Sequence, residues 1–196
     1  MEDAALVARA KSGDMVAVGD LLSRHADAAY TAALRLLGEP ADAEDITQDA
    51  LVRAYTRLSE LEEGASFSAW LRRIAVNLSL NALRRRGLLR FESLETAHAT
   101  SETALGAYDI VDESQCTPEE DVVNAALRDE VERYVRQLPP DQRVAVVLRD
   151  MYGYDVAEVA ELQRCGLSAA KMRIARGRAH LRDLIGRHGG REAARV

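Results

Sequence analysis

Of 196 residues only four are proline and two are cysteine, and 5% are aromatic. No apolar run approaches the roughly 20 residues that a membrane-spanning helix needs, so membrane insertion is not expected. The opening MEDAALVARA starts acidic and has no signal-peptide core. Both absences point to a cytoplasmic protein. Cys116 and Cys165 stand far apart with no CxxC, and the four histidines (25, 98, 180 and 188) are scattered. Two unpaired thiols are the plain reading, with no metal and no other cofactor. GxxxxGK, GxGxxG, HExxH and GxSxG are all missing, so nothing here looks like the active site of an enzyme.

Ala, Leu, Arg and Glu dominate, and hydrophobic residues make up 47% of the chain, enough for packed cores. With so little proline this composition favours helices. Residues 4–37 read as two helices broken near Gly13-Asp14, with Asp14 a cap, and Gly38-Glu39-Pro40 ends the second. A third lies in ADAEDITQDALVRAYTRL, its first turn rich in the acids that the helix dipole favours. Gly64 breaks it, Ser66 can cap a fourth, FSAWLRRIAVNLSLNALRRR, and Gly87 stops that one.

Composition then changes. From Glu95 to Asp121 there are eight acidic residues and no Lys or Arg, which leaves little to bury and keeps the chain extended by repulsion. Helical periodicity returns in EEDVVNAALRDEVERYVRQL, ended by Pro139-Pro140, and continues in DQRVAVVLRDMY with Asp141 as its cap. DVAEVAELQR, a turn with Gly166 and a last basic helix complete the chain, spaced as in a helix-turn-helix. The expected fold is all-α: two small helical domains, 1–92 and 119–196, joined by an acidic flexible linker over 93–118, the second a helix-turn-helix domain.

The chain carries net charge −6, yet SAAKMRIARGRAHLRDLI gathers Lys171, Arg173, Arg176, Arg178 and Arg182 against one acid, Asp183. On a helical wheel Ala170, Ile174, Gly177, Leu181 and Ile185 make a packing stripe. Ser168, Ala169, Met172, Arg173 and Arg176 face away from it, with Lys171, Arg178 and Arg182 along one flank. A solvated basic face would look similar, and a membrane-surface helix would need a larger, aromatic-bearing stripe. The preceding helix and tight turn favour a recognition helix, which needs a polar face for base edges and flanking cations for phosphates.

A second basic surface lies between Arg72 and Arg90, with six Arg and no acid. Phe67, Leu71, Ile74 and Leu78 read as a core stripe with Trp70 beside it. Arg73, Asn77, Leu80 and Arg84 form a separate one, with Arg85 and Arg86 at the helix end, where the dipole also favours cations. The alternatives are a solvated helix end and a nucleic-acid surface on which Asn77 and Asn81 read bases. The third helix is the opposite: Ile46, Ala50, Leu51, Ala54, Tyr55 and Leu58 form an apolar arc, while Asp45, Gln48, Asp49, Val52 and Thr56 lie outside it. An i,i+4 pair of Asp49 with Arg53 is the modest reading, a basic protein partner the more specific one.

Three stretches, DAEDITQDALVRAY, FSAWLRRIAVNLSLNALRRR and LPPDQRVAVVLRDMYGYDVAEVAE followed by KMRIARGRAHLR, together resemble the bacterial RNA polymerase sigma factors of extracytoplasmic-function type. The resemblance implies a transcription initiation factor, monomeric when free, that binds core RNA polymerase at the β′ clamp helices and β flap. It implies promoter recognition at −10 and −35 elements, help with DNA melting, and an anti-sigma partner. Placed by residue, it assigns core binding to Asp45, Gln48, Asp49 and Val52. The −10 element falls to Leu61, Glu62, Glu63, Gly64, Ala65, Ser66 and Phe67 with Arg73, Asn77, Leu80, Asn81, Arg84 and Arg85. The −35 element falls to Ser168, Ala169, Lys171, Met172, Arg173, Arg176, Arg178 and Arg182. The acidic linker would thread toward the active centre, in a channel built for nucleic acid. Where the family usually has Leu-Gly before the turn this chain has Gln163-Arg164, with its glycine at 166. Ala169-Ala170 replace Thr-Val, and Met172 replaces a common Ser. The rival classes are a helix-turn-helix regulator with an effector domain, and a polymerase-binding adaptor without initiation activity. The first would need a ligand pocket or phosphoacceptor domain, and the N-terminal half shows no strand-helix alternation; the second would explain the acidic helix but not the second basic surface.

Overall fold

A computed structural model describes residues 2–89 and 130–193, and side chains up to 187. The acidic stretch expected as a linker, Cys116 included, lies outside the described residues. Among the described residues every regular element is a helix, and the chain separates into two compact units.

In the first unit α1 (Glu2–Lys11), α2 (Met15–Leu37), α3 (Pro40–Thr56) and α4 (Phe67–Arg85) pack around α2, which touches the other three. Asp14 caps α2, its side chain accepting from the Val16 and Ala17 amides at 3.0 and 3.1 Å. The Ala17 amide and the Arg9 guanidinium hold its carboxyl below the usual carboxylate range. The facing surfaces are largely alanine: Ala29, Ala32 and Ala33 of α2, Ala43, Ala50 and Ala54 of α3 and Ala75 of α4 are fully buried. Such small side chains let helix axes come close, while Leu21, Leu36, Phe67, Leu71, Leu80 and Leu83 fill the remaining volume. Leu80 therefore points into the core, not along the polar stripe expected for it. A helical wheel misplaces it because α4 is covered on two sides, by α2 and by α3, and so buries a wide arc.

In the second unit the helix at 130–137, α5, is followed by α6 (Pro140–Val146), which runs on as a π turn over Val147–Met151. Pro140 opens α6 at its first position with Pro139 as the cap, so Asp141 lies inside the first turn instead of capping it. Arg143, 6% exposed, donates from Nη1 to the Arg136 carbonyl at 3.1 Å and covers the end of α5. Its burial lowers the guanidinium pKa. The short α7 (Val156–Leu162) has a reciprocal cap: the Glu158 amide donates to Asp155 Oδ1 at 2.8 Å, and the Asp155 amide to Glu158 Oε2 at 2.7 Å. The long α8 (Leu167–Ala193) packs on both α6 and α7.

Two backbone positions decide how α7, the turn and α8 fit together. The end of α7 is a Schellman motif: the Arg164 amide donates to the Glu161 carbonyl, and the Cys165 amide to the Ala160 carbonyl, both at 2.9 Å. Arg164 occupies the left-handed position at φ 49, where glycine is the low-cost residue. The glycine at 166 does not take over that role. Gly177, by contrast, lies where α8 crosses α6: a Cβ there would meet Val146 Cγ2 at 2.6 Å and the Gln142 carbonyl at 3.2 Å. Arg164→Gly should therefore stabilise the second unit by about 0.5–1 kcal/mol, and Gly177→Ala should destabilise it by about 1–3 kcal/mol through overpacking. Urea unfolding of the full chain, followed by far-UV circular dichroism, should show these opposite shifts. Fluorescence of Trp70, the single tryptophan and a first-unit residue, should register neither.

Candidate functional site

Three surfaces carry the candidate residues. On α3, Asp45, Gln48 and Asp49 are exposed, and Val52 is 63% exposed. Among the described residues Asp49 does not pair with Arg53, and neither Asp45 nor Asp49 has an ion-pair partner, so this face presents free carboxylates. Beside it lies an apolar patch that the sequence pattern hides. Tyr55, placed by its periodicity in the buried arc, is 48% exposed and brings its hydroxyl to 4.0 Å from Met15 Sδ. Met15 and Val16, at the start of α2, are more exposed still. An exposed apolar group flanked by acids is complementary in charge and polarity to a surface with basic and apolar groups.

The second surface runs from the 61–67 loop along α4. Leu61 and Phe67 are each 2% exposed, so they anchor the loop in the core and do not face DNA. Glu62, Glu63, Gly64 and Ser66 are exposed and Ala65 is half-buried; Gly64 turns the chain at φ 81. Ser66 accepts from the Ala69 amide at 3.3 Å and so caps α4 as its sequence suggests. On α4 the exposed polar residues are Asn77, Asn81 and Arg85, with Arg73 and Arg84 half-buried. Arg84 donates to Asn81 Oδ1, and Asn81 itself is exposed. Leu80 is excluded from this surface by its burial.

The third is α8. Ser168, Lys171, Met172, Arg176 and Arg182 are exposed and Ala169 is half-buried. Ala170, Ile174 and Gly177 pack inward as expected, but Ile185 at the far end of the stripe is 49% exposed. Arg173 overturns its expected placement. It lies three residues after Ala170 and four before Gly177, on the inner side of the helix, and is 7% exposed. Its Nη1 donates to Gln163 Oε1 at 3.1 Å, and its Nε lies 3.7 Å from Asp141 Oδ2. Gln163, 1% exposed, in turn donates from Nε2 to the Asp141 carbonyl at 2.8 Å. One amide thus links the start of α6, the turn and α8. A buried cation without such partners would be costly, which is why this one is held by an acceptor and a carboxylate. Arg178 is also engaged: its guanidinium makes a two-point contact with the Asp150 carboxylate, one bond at 2.9 Å, and that carboxylate raises its pKa.

Two helical units, one with an acidic face and a basic helix, the other a helix-turn-helix, have the makeup of a DNA-binding protein. Residues 21–88 match the family model for sigma-70 region 2, and residues 128–181 match that for sigma-70 region 4. The ECF RNA polymerase sigma factor SigE of Mycolicibacterium smegmatis is 34% identical over 185 residues, covering 93% of this chain and 68% of its own. The corresponding factor SigW of Bacillus subtilis is 30% identical over 179 residues, covering 91% of this chain and 94% of its own. Among solved structures, CnrH in complex with the cytosolic domain of CnrY matches with a TM-score of 0.51 and 25% identity, over 95% of this chain and 98% of that one. The chain belongs to the ECF sigma factors of RNA polymerase. It is thus a transcription initiation factor that directs the polymerase to promoters.

The Gln163 amide can be tested directly. Gln163→Leu removes the acceptor of a buried charged donor, a loss of roughly 1–3 kcal/mol, and should lower the urea midpoint of the second unit. Adding Arg173→Met, which removes the buried guanidinium left with one acceptor fewer, should recover part of that loss. A double variant no more stable than Gln163→Leu alone would show that the two side chains are not coupled.

Proposed function

We propose that the acidic face of α3 docks on core polymerase, that the 62–66 loop and the polar side of α4 engage the −10 element, and that the exposed face of α8 enters the major groove at the −35 element. The observation that carries this assignment is the separation of surfaces: among the described residues Asp45 and Asp49 on α3, beside exposed apolar groups, and Lys171, Arg176 and Arg182 on α8 have no ion-pair partners. Phosphate repels the first and attracts the second. On α8, Arg176 and Lys171 supply donors suited to guanine, and Met172, 52% exposed, can meet a thymine methyl group. Arg182 lies farther along the same helix as a phosphate contact. Arg173 and Arg178 are left out, the first because it is buried and the second because Asp150 already neutralises it.

Melting is the task of the first unit. Taking a base from the stack costs a few kcal/mol, and a loop that accepts it lowers that cost only for bases that fit. Reading and opening are thereby one step. Core polymerase and promoter DNA are the main partners, at the β′ clamp helices and β flap for the former. An anti-sigma protein that covers the acidic and apolar face of α3 is the further partner; CnrH, of similar fold, is held by the cytosolic domain of CnrY. Among the described residues no helix is long and apolar enough to cross a membrane, and we place the protein in the cytoplasm with its polymerase.

Run-off transcription with core polymerase on genomic fragments would define the promoters and test the proposal as a whole. Asp45→Arg with Asp49→Arg should abolish co-purification with core enzyme while the helical signal persists; undiminished binding would remove the α3 assignment. On upstream-element variants, Arg176→Ala should relax preference at one position by about 1–3 kcal/mol. Arg182→Ala should weaken all variants alike and reduce the salt slope by roughly one. Equal shifts for both substitutions would leave α8 as an electrostatic anchor only.

A further inference from the structure

The geometry points to α1 as a brace that fixes both ends of the 61–67 loop and thereby sets how well the loop takes up the −10 base. This inference rests on the assignment of that loop to the −10 element. Helix α1 precedes the stretch that matches sigma-70 region 2, residues 21–88, and belongs to none of the three surfaces. Its last residue, Lys11, donates from Nζ to the carbonyl of Leu61, the residue at which the 310 turn Leu58–Glu60 ends and the loop begins. Near its other end Asp3 accepts from Arg24 Nη1 at 3.0 Å and lies 2.9 Å from His25 Nε2. The His25 ring, with its centroid 5.4 Å from that of Phe67, packs on the residue at which the loop closes and α4 begins. One ten-residue helix therefore reaches both loop anchors.

Inside the loop there is little else to define a shape. The Ala65 amide donates to the Glu62 carbonyl at 3.2 Å, and Ser66 is occupied in capping α4. Gly64, at φ 81, has open space where a Cβ would be. A loop so lightly tied within itself takes its conformation from its ends. If the ends loosen, the cost of ordering the loop falls on the step in which the base is captured. Lys11 and Asp3 are then positioning residues: they touch no DNA, and they act through Leu61 and Phe67.

The test uses holoenzyme reconstituted from the full chain and a promoter library randomised over the −10 element, with transcripts sequenced. Lys11→Met keeps the aliphatic stem and removes the donor. It should flatten base preference within the melted element roughly fivefold, the equivalent of one hydrogen bond of ordinary net strength. Core binding and preference at the upstream element should stay as they are. Lys11→Arg, which restores a donor, should recover the preference, and Asp3→Asn should reproduce part of the loss from the other end. Glu62→Ala with Ser66→Ala tests the loop itself. If that pair leaves −10 preference untouched, the loop assignment fails; if it alters preference while Lys11→Met and Asp3→Asn do not, the brace is wrong and the assignment stands. A Lys11→Met protein that loses activity equally on every template, in step with a lowered melting temperature, would also overturn the brace, since the lysine would then be only structural.

Discussion

A chain of net charge −6 that has to hold a polyanion depends on keeping its carboxylates out of the phosphate's reach. In the second unit the structure does this by tying acids to arginines of α8. Asp150 is taken up by Arg178, and Asp141 lies beside the buried Arg173. Lys171, Arg176 and Arg182 keep their charge exposed. In the first unit Asp45 and Asp49 of α3 are exposed and have no ion-pair partner among the described residues, which gives a face that repels phosphate. Local pairing on one element and its absence on another turn an overall acidic composition into surfaces of opposite use.

The same pairings fix geometry. Base discrimination through side chains requires that a helix be held to within a fraction of its own side-chain reach, and α8 is held by two unlike contacts. Gly177 brings the helix against α6 at a separation that no Cβ would permit. The Gln163–Arg173 hydrogen bond, with Asp141 behind it, sets its rotation relative to the turn. An apolar Leu in place of Gln163 can fill space, but a directed amide also specifies an angle. This chain carries an arginine at the left-handed end of α7, at some cost in backbone strain. The buried polar link offsets it in the same turn.

Much of this architecture is legible in the residues themselves. Asp14, Gly38 and Ser66 mark helix ends through chemistry that does not depend on tertiary context, and the helices end where those residues fall. The failures share another cause. A helical wheel assigns one inner face, yet α4 is covered by two neighbours and α8 by two, so Leu80 and Arg173 lie inside arcs wider than the wheel allows. Arg173 misleads further, because a cation is ordinarily read as exposed unless its partner is known, and its partner Gln163 stands ten residues away across a turn. The residue pattern shows that Leu61 and Phe67 border a turn, but only packing shows that they are its anchors. Tyr55 and Met15 are forty residues apart, and no periodicity connects them.

In the first unit, labour is divided between surface and support. The exposed members of the 61–67 loop are small or acidic, so in the proposed −10 role they would offer shape and backbone groups to a nucleobase and little electrostatic attraction; that attraction would come from Arg73, Arg84 and Arg85 on α4. A site of this kind binds only as well as its backbone is held, because it has no strong charge with which to make good a poor fit. The anchors carry that requirement inward, from Leu61 to Lys11 and from Phe67 to His25 and Asp3. The residues that matter most to the shape of such a loop therefore include ones outside it, Lys11, His25 and Asp3, together with Gly64 and Ser66, which turn the chain and cap α4 within it.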